Sequence, residues 1–229
     1  MFKVKKIIDK PVYYSTLLDV EHFFTSRELE VKENKKEIAD YLKIDIENLI
    51  KPTQTHSDNV EVVDINKKEY DECDSLIIDR ADCAIYLNFA DCTPVILYDT
   101  KNNVGAICHC GWRGTAKRIA PKTFLKMQKL YQTKPADTVA IIGPCISFSC
   151  FETYDEALNQ LKNSVKNPNG LFKDNYADLK NINKRQLEEL GIEKFDICPY
   201  CTVCDNDKFF SYRKENGTKK RHSAVLKIK

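Results

Sequence analysis

Histidine occurs only four times in these 229 residues, tryptophan once, and glycine and proline seven and eight times. So little Gly and Pro excludes a collagen-like or low-complexity chain. No repeat or Pro/Gly/Ser linker divides the sequence, which reads as a single domain over residues 1–229. A one-sided charge is missing too: 36 Lys and Arg against 34 Asp and Glu leave +2. Nucleic-acid binders draw affinity from phosphate neutralisation and carry a clear basic excess, so nucleic acid is not an expected partner. The one basic cluster, Lys219-Lys220-Arg221-His222, reads as a solvated surface segment. No apolar run has the length that a signal peptide or a membrane span needs, so the expectation is a cytoplasmic protein without membrane contact. In that setting the ten cysteines read as thiols or metal ligands rather than disulfides.

What is present points to a mixture of strands and helices. Residues 12–26 read as extended. Asn34 and Glu37 resemble a capping box ahead of a helix over about 35–43. Apolar runs at 84–90, 94–98, 104–108 and 139–142 lack helical period and suit buried strands. Gly111 to Thr115 predicts a tight turn feeding a helix over about 116–131, with Pro121 near its start. Thr153 and Glu156 form a second capping box before Leu158, Leu161 and Val165. Leu179 to Leu190 gives a further helix stopped by Gly191. Residues 209–212 and 224–228 read as closing strands. Without strict βαβ alternation, the expected class is α+β with mixed sheets.

Two of the four histidines sit where a metal site can form. His56 lies in the polar loop Gln54-Thr55-His56-Ser57-Asp58. His109 ends an apolar strand before a glycine, and Cys92 separates two apolar runs. Two imidazoles and a thiolate suit zinc rather than magnesium or calcium. Three protein ligands leave a fourth position open, which is the catalytic pattern. The same residues also allow a plainer reading, two ordinary histidines and a buried thiol.

Further segments sharpen this. Gln54-Thr55-His56 with Asp58 and Val60, Ala90-Asp91-Cys92-Thr93-Pro94-Val95, His109-Cys110-Gly111-Trp112-Arg113-Gly114, and Ile142-Gly143-Pro144-Cys145-Ile146 occur in order. Asp178-Leu179, Asn183, Gln186-Leu187, Gly191, Cys201-Thr202 and Phe210-Ser211-Tyr212-Arg213 follow. The set resembles the laccase-domain family, formerly called multicopper polyphenol oxidases and now described as purine nucleoside phosphorylases. The resemblance implies a mixed β-sheet sandwich flanked by helices, similar to cysteine-hydrolase-like folds. It also implies a catalytic zinc on His56, Cys92 and His109, and an active-site arginine at Arg27. The implied reactions are phosphorolysis of adenosine, inosine, guanosine and methylthioadenosine, with phosphate as co-substrate, and deamination of adenosine. The chain departs from the family at Glu28-Leu29-Glu30-Val31, where a glycine-rich stretch is usual, and at Lys220-Arg221 in place of Gly-Arg. Multicopper chemistry, suggested by the older name, needs far more imidazoles than four.

Cys92, His109, Arg27 and Arg113 are thus the expected catalytic residues, with Arg27 and Arg113 the expected phosphate-binding pair. Arg113 fits a phosphate anchor beside a helix start, or equally a structural arginine packed on Trp112. Asp91 either orients a ligand or caps a strand end. Cys145 reads as core or site wall. Cys198-x2-Cys201-x2-Cys204 allows a second metal, with Cys73 or Cys83 as a fourth partner, or simply reduced thiols. An alternative chemistry places Cys92 as nucleophile and His109 as base of a hydrolase, in the manner of an amidase acting on peptidoglycan precursors, an activity also attributed to family relatives. The expected partner is a small-molecule nucleoside; the sequence names no protein partner.

Overall fold

In the strand Thr93–Asp99, Ile96 and Tyr98 enter one core while Val95 and Leu97 enter another. Successive side chains of a strand point to opposite faces, so an unbroken apolar run marks a strand covered on both sides. The computed structural model describes residues 1–64, 66–67 and 69–229. Its strands are β1 (Phe2–Ile7), β2 (Lys10–Ser15), β3 (Glu21–Thr25), β4 (Leu49–Ile50), β5 (Val60–Val62), β6 (Ser75–Ile78), β7 (Ala84–Phe89), β8 (Thr93–Asp99), β9 (Val104–Cys110), β10 (Thr138–Ile142), β11 (Phe172–Lys173), β12 (Tyr176–Ala177), β13 (Lys194–Ile197) and β14 (His222–Lys227). The α-helices are α1 (Lys35–Leu42), α2 (Trp112–Ala116), α3 (Ile119–Tyr131), α4 (Asp155–Asn163) and α5 (Leu179–Glu188).

Two six-stranded mixed sheets run in the orders β1-β2-β3-β14-β7-β4 and β13-β10-β8-β9-β6-β5. They pack face to face. Phe24, Leu87, Phe89 and Leu226 of the first meet Leu76, Ile96, Ile107 and Ile141 of the second. The sheets come so close at Gly105 that a Cβ there would stand 2.7 Å from Leu226. Ile38 and Leu42 of α1 cover the outer face of the first sheet, against Tyr86 and Val225. Phe124 and Met127 of α3, with Leu187 of α5, cover the other, against Val95 and Leu97. The fold is therefore α+β with two mixed sheets, in agreement with the sequence.

Several local expectations are corrected. Gly111 to Thr115 is not a simple turn: Gly111 is the N-cap of the short helix α2. A left-handed Arg118 (φ 61°) separates α2 from α3, so Pro121 falls in the first turn of α3, where its missing N–H breaks no bond. Neither expected capping box forms. The Asn34 amide instead donates to Glu30 O at 2.8 Å, and α4 starts after Tyr154 with no side-chain cap. Residues 209–212 are buried without joining a sheet, apart from the exposed Tyr212. The basic cluster is solvated only in part: Lys219 and Lys220 are exposed, Arg221 is half-buried, and His222 begins β14 and is fully buried.

Candidate metal centre and its cleft

The site forms where three segments meet at one end of the sandwich. Cys92 lies on the turn from β7 to β8, just after Asp91, whose φ of 80° bends the chain sharply. His109 is the penultimate residue of β9. His56 sits in the loop before β5 with φ 61°. This loop is held against the end of β7 by Gln54, whose amide exchanges bonds of 2.9 and 2.8 Å with Asn88 O and N. Asp58 ties its far side to Lys117 at 3.1 Å and to Lys122.

The three ligand atoms lie within 4.8 Å of one another. His56 Nε2 is 3.8 Å from Cys92 Sγ, and the two imidazole rings are 4.8 Å apart, edge to face. Around a tetrahedral or slightly flattened zinc, with Zn–S about 2.3 Å and Zn–N about 2.0 Å, sulfur and nitrogen stand about 3.5–3.7 Å apart. The donor set and spacing fit that ion. Gly111 makes the fit possible: a Cβ there would be 2.9 Å from Cys92 Sγ and 3.1 Å from the His56 ring.

Asp74 organises the ligands and was not recognised in the sequence. It is fully buried. Its carboxylate accepts His109 Nδ1–H at 2.7 Å and the backbone N–H groups of Thr55, His56 and Ser57 at 3.1, 3.1 and 2.7 Å. One side chain thus fixes the His109 tautomer, leaving Nε2 free, and shapes the loop that presents His56. Burial pushes the Asp74 carboxyl up, but the bonds from His109 and Ser57 outweigh it and hold it down to about 2. Burial likewise opposes charge on Cys92 and His109, yet each supports the other: the thiol is drawn down to about 6 and, with Asp74 adding, the imidazole is raised to about 9. A carboxylate beside an apolar strand has to be paired, and that was the signal for Asp74 available in Cys73-Asp74-Ser75-Leu76-Ile77.

A cleft of ≈ 610 Å³ opens above the triad. Ile146, Phe151 and Tyr212 form one side, and Lys51, Arg113, Arg213 and Arg221 bring positive charge to it. Arg113 also stacks on Trp112, 4.3 Å from the ring centre, so that packing does not keep it from the cleft. Asp91 accepts Thr202 Oγ1–H at 2.6 Å and Arg213 N–H at 2.7 Å, which anchors the C-terminal segment over the cleft. Arg27 makes a different set of contacts. Its guanidinium bonds Asn206 O, pairs with Glu215 at 3.6 Å and covers the Phe210 ring at 5.0 Å, and it is not among the residues lining the cleft. Cys145 is buried and also outside the lining. Arg213, Arg221, Lys51 and Phe151 were missed as cleft residues because they come from separated stretches that only the fold assembles.

Fold and site together define a two-sheet α+β protein with a His–Cys–His group able to hold a metal at the base of a cationic cleft. The chain belongs to the multi-copper polyphenol oxidoreductase laccase family, whose pattern matches residues 10–229. It is 32% identical over 206 residues to a purine nucleoside phosphorylase of Clostridium acetobutylicum, covering 89% of this chain and 86% of that protein. It is 32% identical over 204 residues to the adenosine deaminase RL5 of an unknown prokaryotic organism, covering 81% and 77%. The crystal structure of YlmD from Geobacillus stearothermophilus superposes with a TM-score of 0.87 over 95% of this chain and 96% of that one, at 23% identity, and shares the fold. These relatives lend no support to an amidase reading of Cys92 and His109. Among the described residues no helix is long and apolar enough to cross a membrane.

Proposed function

We propose that this protein is a zinc-dependent purine nucleoside phosphorylase, acting on adenosine, inosine, guanosine and methylthioadenosine, that also deaminates adenosine. The observation carrying the reading is the convergence of His56, Cys92 and His109 beneath a cleft ringed by Lys51, Arg113, Arg213 and Arg221. The names of the relatives point the same way.

His56, Cys92 and His109 would hold the metal, which would supply Lewis-acid chemistry at the base of the cleft. Asp74 keeps His109 Nδ1 protonated and its other nitrogen directed at the site. The guanidinium of Arg113 takes the phosphate co-substrate, with Arg213, Arg221 and Lys51 adding positive potential. Phe151, Ile146 and Tyr212 provide the flat apolar wall against which a purine packs. In phosphorolysis a phosphate oxygen bonds to the ribose anomeric carbon, the glycosidic C–N bond breaks, and the base leaves with the electron pair and takes up a proton. The transition state carries positive charge on the sugar, which the anchored phosphate stabilises.

The test is incubation of the purified protein with adenosine and inorganic phosphate. Adenine and ribose 1-phosphate are expected, with inosine appearing from the side reaction. The absence of turnover with all four nucleosides rejects the reading.

A further inference from the structure

Seven of the ten cysteines have an evident place: Cys92 at the metal centre, and Cys73, Cys83, Cys108, Cys110, Cys145 and Cys198 buried in the interior. The other three meet outside it. Cys150, Cys201 and Cys204 bring their sulfurs within 4.8 Å of one another, although Cys150 comes from a segment 51 positions before Cys201. The Cys150 and Cys204 sulfurs are 3.6 Å apart. Cys198, the first of the closely spaced run, is not in the group. Cys73 and Cys83, the fourth partners considered from sequence, lie in the core between the sheets.

The two segments that carry the tripod are braced. Cys201 pairs with Cys145 through a β-bridge, and the Thr202 N–H reaches Cys145 O at 3.2 Å. The turn after Cys201 is closed in both directions, by Cys201 N–H to the Asp205 carboxylate at 2.9 Å and Asp205 N–H to Cys201 O at 2.7 Å. Opposite, Cys150 N–H and Phe151 N–H both donate to Ser147 O. The Ser147 N–H donates to the Cys201 sulfur at 3.3 Å, a bond that favours a thiolate there. Arg213 clamps the same strap from outside through the carbonyls of Cys150 and Glu152.

We propose that Cys150, Cys201 and Cys204 bind a second zinc ion, with the fourth coordination position facing solvent. Thiolate donors select a soft or borderline cation over magnesium or calcium. Three sulfurs around a zinc with Zn–S about 2.3 Å stand about 3.8 Å apart, close to the 3.6 Å between Cys150 and Cys204. Cys201 is buried, Cys150 half-buried and Cys204 exposed, so the group opens outward on one side only. The ion would staple two parts of the cleft. Phe151, next to Cys150, is part of its wall. Thr202, next to Cys201, holds Asp91, which precedes the metal ligand Cys92. The second ion is thus a brace for the cleft wall, and the proposal does not depend on which reaction occurs at the first.

The experiment uses the full chain bearing Cys92→Ser, which removes the only thiolate of the first centre. Metal-stripped, reduced protein is titrated anaerobically with cobalt(II), then with zinc. A thiolate-to-cobalt charge-transfer band saturating at one equivalent is expected, with its bleaching on zinc addition and a rise of several degrees in the melting midpoint with zinc. Adding Cys150→Ser and Cys204→Ser to the same chain should abolish the band and the rise, while circular dichroism confirms that the chain remains folded. Absence of the band in the Cys92→Ser protein overturns the proposal, as does its persistence in the triple variant. A Cys150–Cys204 disulfide found in protein prepared under reducing conditions also overturns it.

Discussion

Asp74 accepts the His109 Nδ1–H at 2.7 Å while the same carboxylate gathers the three consecutive N–H groups of Thr55, His56 and Ser57. Two of the three side chains proposed to hold the metal therefore depend on one buried acid. We predict that Asp74→Asn weakens zinc retention by about tenfold to a hundredfold, measured by competition with a chromophoric chelator. The asparagine keeps one acceptor but not the charge, and its amide N–H groups face donors. Unchanged zinc affinity in a folded Asp74→Asn protein would refute the assignment.

Gly111 is required by space, not by backbone angle, since its φ is −63°. The Cβ of an alanine would press on the Cys92 sulfur and the His56 ring at 2.9 and 3.1 Å. Gly111→Ala is expected to lose metal and turnover together while the two sheets stay folded, at a stability cost of about 1–3 kcal/mol from overpacking. Metal analysis alongside thermal melting checks this; an alanine variant with full zinc content counts against the geometry.

The two arginines singled out from sequence part company in the fold. Arg113 reaches the cleft, whereas Arg27 is paired with Glu215 behind Phe210. Arg113→Ala should raise the KM for phosphate by about tenfold to a hundredfold, the worth of a charge-assisted hydrogen bond, with zinc content intact. Arg27→Ala should leave the phosphate KM unchanged and alter stability by about 1 kcal/mol or less, because the pair is partly exposed. Steady-state kinetics at varied phosphate separates the two, and a larger phosphate effect at Arg27 than at Arg113 would reverse the assignment.

Burial, with the Arg221 charge adding, pushes the imidazole of His222 down to about 3. Its ring lies between Phe89 and Phe209, 6.4 and 5.3 Å away between centres. An unfolded-state histidine titrates near 6.5. Below that pH the unfolded chain takes up a proton that the native chain refuses, so stability falls as pH drops from about 6.5 towards 3, by about 1.4 kcal/mol per unit. Above 6.5 the group contributes no pH dependence. Urea melts at pH 7 and pH 5 should show a smaller acid loss in His222→Phe than in the natural chain. Equal losses would mean that His222 is not the source.

Strands whose apolar runs are covered on both faces, such as those around Ile96 and Ile107, were legible because burial leaves an unbroken hydrophobic stretch. β1 was not, since this edge strand carries Lys3, Lys5 and Lys6 among its six residues, Lys3 and Lys6 exposed and Lys5 laid over Tyr14, Phe23 and Tyr41, and the charges erase the pattern. The helix break at Arg118 was hidden as well: a single left-handed residue has no compositional mark when it is arginine rather than glycine. In the site, His56, Cys92 and His109 could be named from residue chemistry and motif order. The cationic rim could not, and Asp74 offered only the hint of a carboxylate beside an apolar strand, because their roles depend on neighbours far away in the chain.

The sequence by itself determined the class of the fold and the family, and it named the three side chains proposed to hold the metal, because donor chemistry and hydrophobic period are local properties. Only the tertiary structure decided that Asp74 serves both His56 and His109, that Arg27 pairs with Glu215 over Phe210, and that Cys150 rather than Cys198 joins Cys201 and Cys204. Each of these is a distance between atoms brought together by packing two sheets, and no local pattern along the chain encodes such a distance.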